Sequence, residues 1–218
     1  MKLTENVYKL DCTRGAYAYA VKDNGAVLID TGMPGRAKAI TLELEAYGIN
    51  TQDISRILLT HHDIDHVGNA DYFQRNSGCE VCISKEDYPF FSGELKRPGI
   101  KNMLGKIIKV NVPEKISIID TQTVDNIIVV RTPGHTPGHR CFRYGEVLFA
   151  GDLVRILNGK ITMSPAFMTW DKSVLAESIR HLSMLGIRII CPAHGEPLEL
   201  GNNWGEFIRT INNELSFC

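Results

Sequence analysis

Five short segments of this chain concentrate histidine and aspartate, and each directly follows a run of apolar residues. The segments are 30–32, 60–68, 132–138, 151–152 and 193–195. Short apolar runs bounded by turn residues are typical of buried β-strands, so these polar residues are expected at strand ends. Strand ends from distant parts of a chain can meet at one edge of a sheet, where ligands commonly bind. The five segments therefore restrict the fold to one whose strand ends converge.

The rest of the pattern predicts strands and helices in succession. Strands are expected at 26–29, 57–59, 80–83, 127–130, 141–144, 147–150 and 188–191. Apolar residues at helical spacing predict helices around 37–47, 70–73, 175–185 and 204–215. This order predicts an α/β fold of mixed strands covered by helices on more than one face, in a single domain spanning 1–218. The stretch 85–114 is the least regular.

The segment 60–68 carries the most specific pattern, with His61, Asp63, Asp65 and His66 in close succession. Imidazole nitrogens and carboxylate oxygens suit zinc, iron and manganese, whereas a closed structural zinc site would use thiolates. Along an extended turn His61 and Asp63 point the same way, and Asp65 and His66 follow after a bend. This spacing offers two pairs of metal ligands.

Three distant residues can complete these two pairs. His135 could join the first centre and His194 the second, and Asp152 could bridge them. Together these residues resemble the metallo-β-lactamase superfamily, whose signature His-x-His-x-Asp-His is followed by distant His, Asp and His. The resemblance extends from Asp30 to His194. It implies an αββα four-layer sandwich with a one- or two-metal site at its edge.

The resemblance also implies a ligand for each position of the site. The first ion would take His61, Asp63 and His135, and the second Asp65, His66 and His194, with Asp152 shared. Asp63 departs from the family, because it stands where the second histidine of the signature is expected. A carboxylate can still bind zinc, but its charge shifts preference towards iron or manganese. Two divalent ions are expected, zinc being favoured and iron or manganese the alternatives.

The implied activity is hydrolysis of an ester, thioester, lactone or amide by a metal-bound or bridging hydroxide. Asp65 is the predicted catalytic residue, because it can both ligate a metal and orient the water. Asp63 also resembles the glutamate of the flavodiiron branch, so a di-iron oxidoreductase related to that core stays open as an alternative. A non-catalytic metal-binding protein is the third reading, since one fold can host many functions.

Charge and composition narrow the partners. A net charge of -1 argues against nucleic acid, and no apolar run reaches the roughly 18 residues of a membrane helix. The first residues lack the apolar stretch of a secretory signal, so a cytoplasmic protein is expected and an antibiotic-destroying lactamase is disfavoured. The chain ends soon after His194, which disfavours a glyoxalase II-like thioesterase with a helical glutathione-binding region. The expected partner is a small-molecule substrate, and the oligomeric state stays open.

Several residues near the segments have two interpretations. Asp30 is predicted to fix a ligand histidine through a hydrogen bond, with simple turn chemistry as the alternative. His139 is expected to support a ligand or to lie at the surface, and His62 to be structural. Cys79 and Cys82 are interpreted as packing residues, because side chains three apart on a strand face opposite sides.

A basic run precedes residue 110, close to the aromatic pair at 90–91. It consists of Lys96, Arg97, Lys101, Lys106 and Lys109. One reading is a lid or wall that recruits an anionic substrate. The other is a solvated helix face.

Overall fold

The computed structural model of the chain describes residues 1–97, 99–119 and 121–216. Their backbone contacts divide the chain into two compact units, Met1–Asp120 and Thr121–Cys218. Each unit has its own sheet and its own buried apolar core. The division does not test whether residues 1–218 form a single domain, and that expectation stays a prediction.

The first unit contains one six-stranded sheet. Its strands are Val7–Lys9 (β1), Tyr19–Lys22 (β2), Ala26–Ile29 (β3), Ile54–Leu58 (β4), Glu80–Ser84 (β5) and Ile116–Ile119 (β6). They lie in the order β1-β2-β3-β4-β5-β6. Strands β1 to β3 pair antiparallel, and β3 to β6 pair parallel. The carboxyl ends of β3, β4 and β5 therefore lie at the same edge.

Helices connect the parallel strands of the first unit. They are Ala37–Ala46 (α1), Ile64–Val67 (α2), Ala70–Ser77 (α3), Tyr88–Ser92 (α4) and Gly99–Ile107 (α5). The apolar sides of α1 and α3, including Ile40 and Phe73, pack with Leu28 and Ile57 of the sheet in one buried cluster. Gly48, shortly after the end of α1, adopts a φ of +67°, a backbone conformation that glycine reaches without steric cost.

The second unit contains a second six-stranded sheet. Its strands are Thr123–Val124 (β7), Ile127–Arg131 (β8), Arg140–Tyr144 (β9), Val147–Gly151 (β10), Ile189–Pro192 (β13) and Leu198–Glu199 (β14). The order is β14-β13-β10-β9-β8-β7. The β10–β13 pair is parallel, and the other pairs of this sheet are antiparallel. Strands β8, β10 and β13 consequently run in the same direction.

Two further strands and two helices complete the second unit. They are Val154–Leu157 (β11), Lys160–Met163 (β12), Lys172–Leu182 (α6) and Asn203–Ser216 (α7). Strands β11 and β12 form an antiparallel hairpin of their own. Helix α6 is preceded by its N-cap residue Asp171, whose side chain accepts hydrogen bonds from the backbone N–H groups of Ser173 and Val174. Among the described residues, no helix is both long enough and apolar enough to cross a membrane.

Candidate metal centre

In the first unit, three polar segments begin where parallel strands end. Asp30 follows β3, Thr60 and His61 follow β4, and Asp87 follows β5. Because β3, β4 and β5 are parallel neighbours, these side chains are carried to one edge of the sheet. The convergence expected from the sequence is therefore present within this unit.

Asp30 is held at the centre of a buried hydrogen-bond network. Its Oδ1 accepts from the backbone N–H of Thr60 at 2.8 Å, and its Oδ2 accepts from Thr60 Oγ1 at 2.7 Å. The same Oδ2 lies 2.8 Å from His66 Nδ1. Asp30 has a φ of +59°, a conformation that a non-glycine residue adopts only at a cost, and its contacts offset that cost. The carboxylate thus orients the His66 ring, with Nε2 on the side remote from Asp30.

The expected pairs of ligands are recognisable in the loop that follows β4. His61 Nε2 lies 3.4 Å from Asp63 Oδ2, and His66 Nε2 lies 4.0 Å from Asp65 Oδ2. The rings of His61 and His66 are 3.9 Å apart between centroids. Asp63 is the N-cap residue of α2, in extended conformation, and the short helix then carries the second pair. The bend expected between the two pairs is this helix start.

His62 points into a different environment from its neighbours. Its Nδ1 lies 3.0 Å from Asp87 Oδ2, and its backbone N–H donates to the same oxygen at 3.2 Å. Its ring stacks on Phe90 of α4, with centroids 4.7 Å apart. The carbonyl of His62 accepts hydrogen bonds from Arg97, at 2.9 Å from Nη2 and 3.3 Å from Nε. His62 is a structural residue that ties the ligand loop to the segment before α5.

Arg97 and Lys101 of the basic run turn towards the ligand loop. Lys101 Nζ lies 2.6 Å from Asp63 Oδ2, and both side chains are more than nine-tenths buried. Burial lowers the pKa of the Arg97 guanidinium, and the charges of Asp63 and Asp87 oppose that shift. Lys96 and Lys109 are exposed, as expected of a solvated helix face, whereas Arg97 and Lys101 are not. The side chain of Lys106 lies outside the described part of the chain.

In the second unit, Asp152 lies between two imidazoles. Its Oδ2 is 3.5 Å from His135 Nε2, and its Oδ1 is 3.2 Å from His194 Nε2. The three residues follow β8, β10 and β13, the three strands that run in one direction. The Asp152 carboxylate therefore presents one oxygen to each of the two imidazoles.

His139 lies behind this group and is fully buried, not at the surface. Its Nε2 accepts a hydrogen bond from the backbone N–H of Asp152 at 3.2 Å, and its Nδ1 lies 2.9 Å from Thr132 Oγ1. The tautomer with hydrogen on Nδ1 satisfies both contacts, since Nε2 must then be the acceptor. His139 therefore supports the backbone at Asp152.

Two glycines allow the ligand loops of the second unit to pack tightly. A Cβ on Gly134 would lie 2.3 Å from Leu175 Cα, and a Cβ on Gly195 would lie 2.1 Å from the Ile156 carbonyl oxygen. Both glycines have positive φ, at +140° and +107°. Glycine is required at both positions, one beside His135 and one beside His194, because any side chain would meet backbone.

Each unit contains side chains that suit a metal ion. The expected ligands comprise four imidazoles and three carboxylates, and their nitrogen and oxygen donors suit zinc, iron and manganese. They are His61, His66, His135, His194, Asp65 and Asp152, together with Asp63, which the sequence pattern suggests and whose carboxylate pairs with Lys101. Several residues that hold these donors in place were not assigned this role from the sequence. Thr60 and Thr132 stand inside the predicted segments, and Arg97 and Lys101 belong to the basic run, for which other roles were expected. Asp87 carries no local signal.

Comparison with known proteins identifies the family. The sequence model of the metallo-beta-lactamase superfamily matches residues 13–194. The probable metallo-hydrolase YflN of Bacillus subtilis (strain 168) is 30% identical, over 87% of this chain and 82% of the relative. The hydroxyacylglutathione hydrolase GloC of Haemophilus influenzae is 29% identical, over 82% of this chain and 84% of the relative.

A solved structure gives the same answer for the fold. BJP-1, a subclass B3 metallo-beta-lactamase of Bradyrhizobium japonicum, superposes with a TM-score of 0.75 at 20% identity, covering 99% of this chain and 91% of its own. The predicted α/β fold of the metallo-β-lactamase type is confirmed.

Proposed function

Because this chain belongs to the metallo-β-lactamase superfamily, we propose that it is a metal-dependent hydrolase of small molecules with an ester-type bond. The observation that carries the proposal is the Asp152 carboxylate, which turns one oxygen to His135 and the other to His194. A protein that bound one ion for structural reasons would need no such shared carboxylate. We propose a thioester as the bond that is hydrolysed, with an ester, a lactone or an amide as alternatives.

The proposed ligand sets follow the family signature. One ion would be held by His61, Asp63 and His135, a second by Asp65, His66 and His194, and Asp152 would serve both. When bound, such ions polarise a substrate carbonyl and make a coordinated water acidic enough to react near neutral pH. Zinc is the proposed metal, with iron or manganese as alternatives.

The residues of the chain orient these ligands and handle protons. Asp65 has the most exposed carboxylate of the set, with a side chain 28% accessible, so it can orient a water molecule and accept its proton. Asp30 fixes the His66 ring through Nδ1, and His139 fixes the backbone of Asp152. No serine or cysteine nucleophile is needed for this mechanism.

One comparison favours a thioester, and one structural observation suggests where the apolar part of a substrate would bind. GloC, named as a hydroxyacylglutathione hydrolase, aligns with this chain over 84% of its own length, so chain length does not argue against thioester hydrolysis. In addition, Phe167 and Trp170 leave 76% and 54% of their surfaces exposed. The backbone N–H of Trp170 donates to the His135 carbonyl, which ties this apolar loop to a proposed ligand. We propose that the loop contacts the apolar part of the substrate.

The di-iron oxidoreductase is the weaker candidate. Its support in the sequence is Asp63, whose extra negative charge would favour iron. In the structure, the ammonium group of Lys101 lies 2.6 Å from that carboxylate and offsets its charge. The argument for iron from charge is correspondingly reduced.

The test combines metal analysis with a substrate panel. Purified protein would be analysed for metal per chain and then assayed with a hydroxyacylglutathione thioester, a lactone and a chromogenic β-lactam. We expect zinc and thioester hydrolysis that is lost after chelation and in His135→Ala. Iron with oxygen consumption and no hydrolysis would reject the proposal. An intact protein that bound no metal after reconstitution would reject it as well.

A further inference from the structure

The two ligand pairs of the loop after β4 are backed by groups of opposite charge. His66 is held by the Asp30 carboxylate at 2.8 Å, and Asp63 is held by the Lys101 ammonium at 2.6 Å. An anion behind a ligand imidazole raises its basicity and favours metal binding. A cation on a ligand carboxylate does the opposite, because it attracts the same oxygen that a metal ion would use.

The Asp63–Lys101 pair is not needed to attach helix α5 to the loop. Arg97, just before α5, already donates two hydrogen bonds to the His62 carbonyl. Burying a salt bridge is costly, so a pair of this kind is weak evidence for stability. The pair is distinctive because one of its members, Asp63, is at the position where this chain departs from the family signature.

We propose that Lys101 is a built-in competitor for the metal ion held by His61 and Asp63. The ion at this pair is bound more weakly than the ion at Asp65 and His66. At limiting metal the chain holds one ion, and the second enters only at higher concentration. This inference rests on the metal centre of the proposed function and specifies its metal affinities.

The magnitude follows from the positions of the charges. Lys101 Nζ is 2.6 Å from Asp63 Oδ2, so an ion that binds this oxygen must displace the ammonium group and break the ion pair. The attraction between two unit charges this close, at the effective dielectric of a protein, is larger than the free energy that corresponds to a tenfold change in binding. Removal of the ammonium should therefore strengthen the weaker site by at least about tenfold.

The experiment is a calorimetric titration of metal-free protein with zinc, in the wild type and in Lys101→Met. Methionine has similar length and no charge, and Lys109→Met is the matched control on an exposed lysine that follows the same helix. The wild type should show two steps that differ by at least about tenfold, and Lys101→Met should tighten the weaker one. Lys109→Met should leave both steps unchanged.

A double variant shows whether Lys101 acts through Asp63. In an Asp63→Asn background, Lys101→Met should change zinc affinity much less than it does in the wild type, because the shared carboxylate is gone. Lys101→Arg, which keeps the charge, should retain the unequal sites, and this variant serves if Lys101→Met does not fold.

The outcomes separate this inference from the proposed function. Two equal steps in the wild type would overturn the inference and leave the hydrolase proposal standing. The inference would also be overturned if folded Lys101→Met bound zinc at the His61–Asp63 pair no more tightly than the wild type does. Two sites of equal affinity in Lys101→Arg would overturn it as well. A wild type that bound no zinc would reject the proposed metal centre itself.

Discussion

The two units supply their ligands in different ways. In the first unit, four proposed ligands lie on one short loop, and side chains from other elements hold that loop in place. In the second unit, His135, Asp152 and His194 come from three separate strand ends, and they contact one another through Asp152. The first arrangement depends on outer charges, and the second depends on backbone packing and on a single carboxylate.

Because of this difference, substitutions in the two units should have different effects. Loss of an outer charge in the first unit should change metal affinity while the ligands stay present, downwards for Asp30 and upwards for Lys101. Loss of Asp152 in the second unit removes the group that links two imidazoles. Added volume at Gly134 should act on folding, because the ligand loop there is positioned by close backbone contact.

The largest effect is expected for Asp152→Ala. His135 and His194 lose their shared partner, so metal content and hydrolysis should fall by more than the roughly 10- to 100-fold typical of outer-sphere changes. Elemental analysis and steady-state kinetics would measure both. Glu177→Ala, on the exposed side of α6, is the control and should behave as the wild type. Full activity in Asp152→Ala would refute the bridging role.

Gly134→Ala should produce a large loss of stability. The new Cβ would lie 2.3 Å from Leu175 Cα at a φ of +140°, so we expect a cost of at least about 1–3 kcal/mol in the free energy of unfolding. Chemical denaturation would measure it. Gly205→Ala is the control, because no atom lies within 4 Å of its Cβ and alanine favours a helix by up to about 1 kcal/mol. Equal stability of the two variants would contradict the packing argument.

Asp30→Asn tests the outer charge of the first unit. Asparagine tolerates positive φ and keeps the shape, but the negative charge next to His66 Nδ1 is lost. We expect metal affinity to fall roughly 10- to 100-fold while the protein stays folded. Competition with a chelator would measure the affinity, and circular dichroism would verify the fold. An unchanged affinity would limit Asp30 to turn chemistry.

The smallest effect is expected at the cysteines of the first unit. Burial raises the pKa of Cys82 to about 12 and also raises that of Cys79, so both stay neutral thiols at pH 8. A colorimetric thiol reagent should not react with either in the native protein. The assay would use the double variant Cys12→Ser and Cys218→Ser, which removes the half-buried Cys12 and the cysteine outside the described residues. Rapid reaction of Cys79 or Cys82 would show that β5 and the residue before it become accessible to the reagent.

Much of the fold could be predicted from the sequence, and one hairpin that was not predicted has a recognisable turn. The apolar runs that end before Asp30, His61 and Asp152 are strands β3, β4 and β10. The hairpin β11–β12 was not predicted, although Asn158-Gly159 at its turn is a strong hairpin signal. Helices α4 and α5 were hidden by prolines and glycines in the stretch 85–114, which was expected to be irregular.

The sequence by itself determined which residues can bind metal, because ligand chemistry depends on residue type and on spacing within a short loop. His61, Asp63, Asp65 and His66 are adjacent in the chain, so local geometry already sorts them into pairs. Only the tertiary structure decided what lies behind each ligand. Lys101 reaches Asp63 from a separate helix, and Asp30 reaches His66 from a separate strand. Such contacts depend on strand order and helix packing, which no local pattern encodes.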